Sequence, residues 1–232
     1  MRRWTLAEIR SKIEQDLDLE AEDFVVQDEL TAIINEGIDE CEAHIHKLNR
    51  EDRYFLAKDT VDLVNGEEEY ALPDNIYANK ILALTYVNGS TIYPVRRLRG
   101  LNLFQDVEVI NQFSQGDDYR YLITNSVVAD GYRITLFPPA RETRSDALVM
   151  WYIRNANRLV DETDVCDIPE FVYYVIAFSK YQIMYKEGHP NLPDAKMELE
   201  RQRTLMLETL EEMVPDEDNE MIKDYSAYQE SS

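Results

Sequence analysis

Three dipeptides constrain most of what this chain can become. Asn65-Gly66, Asn88-Gly89 and Asp130-Gly131 each stand between runs that alternate apolar and polar residues. A two-residue hairpin loop needs positive φ, which Gly, Asn and Asp tolerate, so each dipeptide predicts a β-hairpin. Thr60 to Val64 returns along Glu67 to Leu72, Ile81 to Val87 along Thr91 to Val95, and Tyr119 to Val128 along Tyr132 to Phe137. Asp146 to Arg154 reads as a further strand, with Val149, Trp151 and Ile153 on one face. Leu101 to Phe113 reads as a short helix between the second and third hairpins. The middle of the chain is therefore expected to be one antiparallel sheet of about six or seven strands.

On both sides of this segment the apolar period becomes helical. Thr5 and Glu8 have the spacing of a capping box, and Leu6, Ile9, Ile13 and Leu17 follow at helical intervals. A longer helix begins near Gln27, with Leu30, Ile33, Ile34, Ile38, Cys41, Ile45 and Leu48 as its stripe. Near the other end, Asp167-Ile168-Pro169-Glu170 resembles a second capping box. It opens a helix to Lys186 that is apolar nearly all round, and so buried on several sides. Gly188-His189-Pro190 stops it. Asn191 can then cap a last helix, with Pro193 in its first turn and a stripe of Ala195, Leu199, Gln202, Met206, Leu210 and Met213. The short link predicts that these two helices pack antiparallel. The expected fold class is α+β: N- and C-terminal helices form a helical bundle around an inserted antiparallel β-sheet domain. The segments are 1–54, the N-terminal helices; 55–160, the β-domain; 161–213, the C-terminal helical pair; and 214–232, an acidic arm.

Charge narrows the function. The chain carries 46 Asp and Glu against 24 Lys and Arg, a net charge of −22. Such an excess argues against sequence-specific DNA binding, which needs cations at the phosphates. It fits either a plainly soluble surface or a wall that repels a passing polyanion. Between Ile13 and His46 there is no Lys or Arg, so the outer faces of the first two helices are expected to be strongly negative. Arg96, Arg97 and Arg99 follow the second hairpin, and Arg141 and Arg144 follow the third. They are either solvated strand-end charges or a rim that meets the acidic helices of an adjacent copy, the heterologous contact of a closed ring. Residues 214–232 cannot form a core. They are either a disordered tail or an arm that orders on a partner through Met221, Ile222, Tyr225 and Tyr228.

Reactive motifs are scarce. The 7 glycines include no phosphate-binding loop, and no Gly-x-Ser-x-Gly occurs. Two cysteines, Cys41 and Cys166, give no disulfide framework, and the default is a reducing, cytoplasmic origin. His44 and His46 point to different faces of their helix, and Cys41 with His44 makes only an i, i+3 pair, where structural zinc takes four ligands. The plainer reading makes Cys41 core and His44 surface. No metal and no cofactor is expected. No stretch approaches the length of a membrane span, and the N-terminus lacks the apolar run of a secretory signal.

The order of elements and three stretches together resemble the head-to-tail adaptor (connector) proteins of tailed phages, the tail tubular protein A-like family. Tyr70-Ala71-Leu72-Pro73-Asp74 resembles the family's Tyr-x-Leu-Pro stretch. Gly131 to Pro139 resembles its Ile-x-Leu-x-Pro-x-Pro strand end, with the prolines here adjacent. Tyr152-Ile153-Arg154 followed by Ile168-Pro169-Glu170 resembles its closing strand and helix start. The resemblance spans nearly the whole chain. It implies a structural virion protein without catalytic residues, forming a ring, a dodecamer, between portal and tail. Partners would be the portal protein, tail or nozzle proteins, further copies of itself, and DNA that passes without specific binding; no membrane is implied. The protein would reside in the virion neck, and in host cytoplasm during assembly. The acidic arm would dock on the portal, and Glu29, Glu36, Asp39 and Glu40 are candidates to face the lumen. Two alternatives stay open: an acidic DNA mimic that blocks a host DNA-binding protein, and a small wall-degrading hydrolase using a carboxylate pair.

Overall fold

The computed structural model describes residues 2–18, 25–48, 54–98, 118–125 and 131–213. The expected helix over 101–113, the loop at Asp130 and the arm over 214–232 lie outside them. By contacts the chain divides into two compact units, one within Met1–Glu51 and Ala156–Ser232, the other within Asp52–Asn155.

The first unit is helical. Helix α1 spans Leu6–Leu17, α2 Gln27–Leu48, α3 Val172–Glu187 and α4 Leu192–Glu212. A helix leaves its first N–H groups without intrahelical acceptors, and at α1 every one is satisfied. Thr5 N–H donates to Glu8 Oε2 at 3.0 Å and Glu8 N–H to Thr5 Oγ1 at 3.3 Å, the expected capping box. Leu6 N–H donates to Asp164 O at 2.9 Å and Ala7 N–H to Glu162 O at 3.1 Å. Cys166 N–H returns to Trp4 O at 2.9 Å. The strap between the β-segment and α3 thus completes a helix more than a hundred residues upstream. The strap is itself pinned to α2: Asn35 donates to Leu159 O and accepts from Leu159 N–H, both at 2.9 Å. Asp164 shapes its turn, its Oδ2 accepting from the Val160 and Asp161 N–H groups.

Helix α3 is the centre of this unit and touches all three other helices. Its apolar surface buries Val172, Val175, Ile176, Phe178 and Ile183, as its all-round hydrophobicity predicts. The α2 stripe Leu30, Ile33, Ile34, Ile38, Cys41 and Ile45 is buried too. Gly37 brings α2 close to α3: a Cβ there would lie 3.0 Å from Phe178 Cδ1 and 3.3 Å from Val175 Cγ1. The cap expected at Asp167 is not formed. A 3-10 turn, Pro169–Phe171, precedes α3, Ile168 holds the cap position with no side-chain bond, and Asp167 Oδ2 accepts from Asn157 N–H. Asn191 stands before α4 but its side chain makes no cap bond either. Along α4, Met206 and Leu210 are buried while Met213 is exposed.

The second unit corrects the single-sheet expectation. Among its described residues are eight strands in two four-stranded sheets over one core. The strands are β1 Leu56–Leu63, β2 Glu69–Ala71, β3 Ile76–Asn88, β4 Thr91–Pro94, β5 Arg96–Arg97, β6 Arg120–Asn125, β7 Tyr132–Phe137 and β8 Arg144–Arg154. The sheet orders are β1-β8-β3-β4 and β2-β7-β6-β5, antiparallel except for the parallel pair β5 and β6. Leu63, Tyr86, Leu148 and Met150 of the first sheet share a cluster with Tyr70, Tyr121, Ile134 and Leu136 of the second.

Asn65-Gly66 makes its turn, with Gly66 at φ +82°, but the strands on either side are not partners. β1 pairs with β8 and β2 pairs with β7. Gly66 N–H donates to Ala140 O at 2.7 Å and Leu136 N–H to Glu68 O at 2.8 Å, so the chain leaves one sheet and joins the other. The second hairpin forms as expected, β3 with β4, with Gly89-Ser90 rather than Asn88-Gly89 as the loop. β6 and β7 pair antiparallel as the third hairpin expects, but in a different register, with Asn125 opposite Tyr132, where a two-residue loop at Asp130-Gly131 would need residue 129 there. On β8 the face turned to the core is Leu148, Met150 and Tyr152, while Trp151 is 40% exposed. Alternation placed Val149, Trp151 and Ile153 together, but both faces of β8 are apolar, so periodicity could not rank them.

Asn35→Ala leaves a buried N–H and C=O of Leu159 without partners and should destabilise the helical unit by about 2–3 kcal/mol in chemical denaturation. Gly37→Val should lower stability by roughly 1–3 kcal/mol through overpacking against Phe178. Acid should act on the same unit. Burial would raise Asp16, but its hydrogen bonds to Lys12 and Lys180 outweigh that and hold the carboxyl low. The backbone N–H groups of Val160 and Asp161 hold Asp164 low. Carboxyls depressed by folding stabilise above their unfolded pKa, about 4, and that contribution is lost as pH falls through the folded values. The thermal midpoint should therefore decline below about pH 4.5, and less steeply in Asp16→Asn, as followed by circular dichroism.

Candidate assembly surfaces

Among the described residues no group of three or more His, Cys, Asp or Glu is placed to hold a metal. Cys41 is buried with its Sγ 3.4 Å from Met206 Sδ, and burial pushes its thiol up. Burial also pushes the Cys166 thiol up, to about 11. His44 is half-buried rather than on the surface, its ring edge against Tyr174, and burial lowers its pKa. His46 is buried, with Nε2 at 3.2 Å from Glu42 Oε1. That pair was legible only as an i, i+4 spacing on α2. Two inert thiols and two histidines held by neighbours leave Cys41 and His44 as packing residues. No helix among the described residues is long and apolar enough to cross a membrane.

The arginine candidates separate. Arg96 and Arg97 are exposed on the edge strand β5, in parallel register with Arg120 and Tyr121 of β6. Arg133, half-buried on β7 of the same sheet, adds a further cation. Neither Arg120 nor Arg133 was singled out by sequence, because single arginines inside strands form no run. Arg141 is exposed, and its backbone N–H donates to the Tyr119 hydroxyl at 3.4 Å. Arg144 is committed within the chain: it pairs with Glu142 at 3.1 Å and donates to Asn88 Oδ1 at 2.7 Å. Glu142 in turn accepts from the Tyr86 hydroxyl. Arg144 therefore braces the β3–β4 turn against the start of β8. Arg99 lies outside the described residues, as do Met221, Ile222, Tyr225 and Tyr228.

The acidic candidates on α2 are less free than their number implies. Glu29 pairs with Lys186 of α3, and Asp39 with Arg158 of the strap at 2.5 Å. Glu40 lies near the Tyr174 hydroxyl, whose pKa is pushed up mainly by burial and further by that carboxylate. Glu36 is exposed and lines a shallow groove of about 500 Å³ with Arg10, Thr31, Asn35, Arg158 and Val160. The cations that quench α2 come from sequence-distant elements, which a count along residues 13–46 could not see. On α4, Glu198 is held down to about 2 by its hydrogen bonds to Arg201 and Gln202. Glu200 and Glu208 are exposed on the same helix.

These surfaces are charged edges and helix faces around packed cores. A search of curated proteins finds no match to the sequence. The family model described as SU10 adaptor protein matches residues 4–222, nearly the whole chain and both of its units. The resemblance read from Tyr70 to Asp74, Gly131 to Pro139 and Ile168 to Glu170 thus lies inside a match of the same kind, and the chain belongs to the SU10 adaptor protein family, the adaptors of phage particles.

Proposed function

We propose that this adaptor is a ring subunit in the virion neck, seated between portal and tail, through whose bore the genome passes. The family match over residues 4–222 carries the reading. The ring is a dodecamer by the resemblance, with the four helices forming a bundle and the β-unit stacked beside its neighbours. The units divide as segments 1–54, 55–160, 161–213 and 214–232. The last segment docks on the portal, with Met221, Ile222, Tyr225 and Tyr228 as anchors. Subunits meet through the arginine edge, Arg96, Arg97 and Arg99 with Arg141, while Arg144 supports that edge from within.

The charge supports a channel role. A duplex passing within about 8 Å of a carboxylate surface at physiological salt feels it before screening removes the field. A net charge of −22 then keeps DNA sliding rather than bound. Of the lumen candidates Glu29, Glu36, Asp39 and Glu40, Glu36 and Glu40 contribute most, since the other two are paired with Lys186 and Arg158. The protein waits in host cytoplasm during assembly and leaves with the particle.

Truncation after Met213 should leave the thermal midpoint unchanged and abolish co-sedimentation with purified portal rings. Full-length protein should sediment with intact virions. Its absence from particles, with turnover of peptidoglycan or capture of a basic host protein instead, would support the hydrolase or DNA-mimic alternative. A density map with a positively lined bore would defeat the channel reading.

A further inference from the structure

The first sheet of the β-unit turns one face to the core and leaves most of the other uncovered, with Ile153 buried at one end of it. That open face is apolar. Ile92 is 65% exposed, Leu82 47%, Trp151 40% and Leu56 38%, with Val87 and Val149 half-buried between them. Their positions are adjacent: Val87 opposes Ile92, Ala83 beside Leu82 opposes Trp151, and Trp151 opposes Lys58. Charge is sparse there. Lys58 Nζ lies 5.6 Å from the Trp151 ring centroid, and Asp62, at the margin, accepts from Asp146 N–H. In a chain of net charge −22 such a face marks an interaction site.

Its size and edges restrict the occupant. Strands about 4.8 Å apart, rising about 3.3 Å per residue, give four strands and five residues an area of roughly 300 Å². A stable pair needs about 800 Å² on each partner, so this face is part of a larger contact and does not hold a dimer alone. The extension is next to it in the chain. Residues 92–97 pass from β4 into β5, so exposed Arg96 and Arg97 continue the surface. An apolar centre with a basic rim calls for an apolar stripe with an acidic rim.

One described helix offers that. The outward stripe of α4 has Pro193, Met197 and Thr204 along it, with Met197 71% exposed, beside a shallow groove of about 550 Å³. Glu200 and Glu208 border the stripe; of the two cations beside it Arg201 is occupied by Glu198 at 2.7 and 2.8 Å, and Lys196 is exposed at the end near Pro193. We propose that the open face of the first sheet, with Arg96 and Arg97, docks on the α4 stripe of a second copy of this chain. The contact is heterologous, and its modest apolar area keeps dilute chains apart until a template concentrates them. The inference rests on the ring reading and names the helix that the arginine edge meets.

Cysteine pairs test it. Cys41 and Cys166 are buried with raised thiol pKa values, so they do not compete with a new surface thiol. Ile92→Cys chains are mixed with Met197→Cys chains on purified portal rings and mildly oxidised. Mixed dimers should exceed either homodimer several-fold, and Glu200→Lys in the Met197→Cys partner should cut them roughly tenfold. Homodimers of Ile92→Cys in excess would mean that sheet faces meet each other, and would overturn the inference. Mixed dimers absent while sedimentation shows rings would overturn it and leave the ring reading standing. Neither rings nor dimers on the portal would overturn both.

Discussion

The helical unit depends on one set of backbone hydrogen bonds, those between the chain at Trp4 to Ala7 and the strap at Glu162 to Cys166. Without them α1 would begin with two N–H groups unsatisfied, Leu6 and Ala7, since the Thr5 and Glu8 box accounts only for Thr5 and Glu8. The strap also explains how an insertion can be tolerated. The entropy of closing a long loop rises only slowly with its length, so a whole β-unit can sit between α2 and the strap once the ends are fixed. Asn35 fixes them, holding both polar groups of Leu159, which is buried. Asp16, bonded to Lys12 and Lys180, adds an ionic tie from α1 to α3.

In the β-unit the corresponding constraint is the passage at Asn65-Gly66. A hairpin there would have left β1 and β2 in one sheet. Instead Gly66 and Glu67 bond with Ala140, and the Tyr70 hydroxyl donates to Glu67 O at 3.2 Å. The turn is held by the opposite sheet before the next strand begins. Two sheets then close over Tyr86, Tyr119 and Tyr121, whose rings fill the space between them. The unit needs no long loop to make the change, since the turn residues are the crossover.

Local chemistry was legible in the sequence and pairing only in part: β3 with β4 and β6 with β7 are partners as read, while β1 and β2 are not. Thr5 with Glu8, the α2 stripe and the apolar α3 all depend on neighbours within a few positions, and each forms where its residues predict. The dipeptide Asn65-Gly66 reports backbone dihedrals, and those are as expected; it carries no information about which strand lies opposite. Trp151 failed for a related reason: Val149, Trp151 and Ile153 alternate with Leu148, Met150 and Tyr152, and an apolar residue on both faces leaves no period to read. Asp167 had the spacing of a cap, but Asn157 N–H takes its carboxylate. Gly37 was visible as a helix-interior glycine, a choice that costs about 1 kcal/mol against alanine, and the ring of Phe178 is the reason for it.

The same limit governs the charged surfaces. A count along residues 13–46 makes α2 a uniformly acidic wall, yet Lys186 and Arg158 come from other segments to meet Glu29 and Asp39. Arg144 looked equivalent to Arg96 and proved to be an internal brace, while Arg120, opposite Arg96 and paired with Asp118, and Arg133, opposite Thr124 on an inner strand, add cations to the same sheet unannounced. Pairing of this kind lowers local fields without changing the net charge of −22, which no internal contact can remove. Two copies of such a chain therefore repel at long range and can approach only where a basic edge meets carboxylates left free. In the proposed contact, orientation between copies follows from charge placement, with apolar area supplying the hold once the orientation is found.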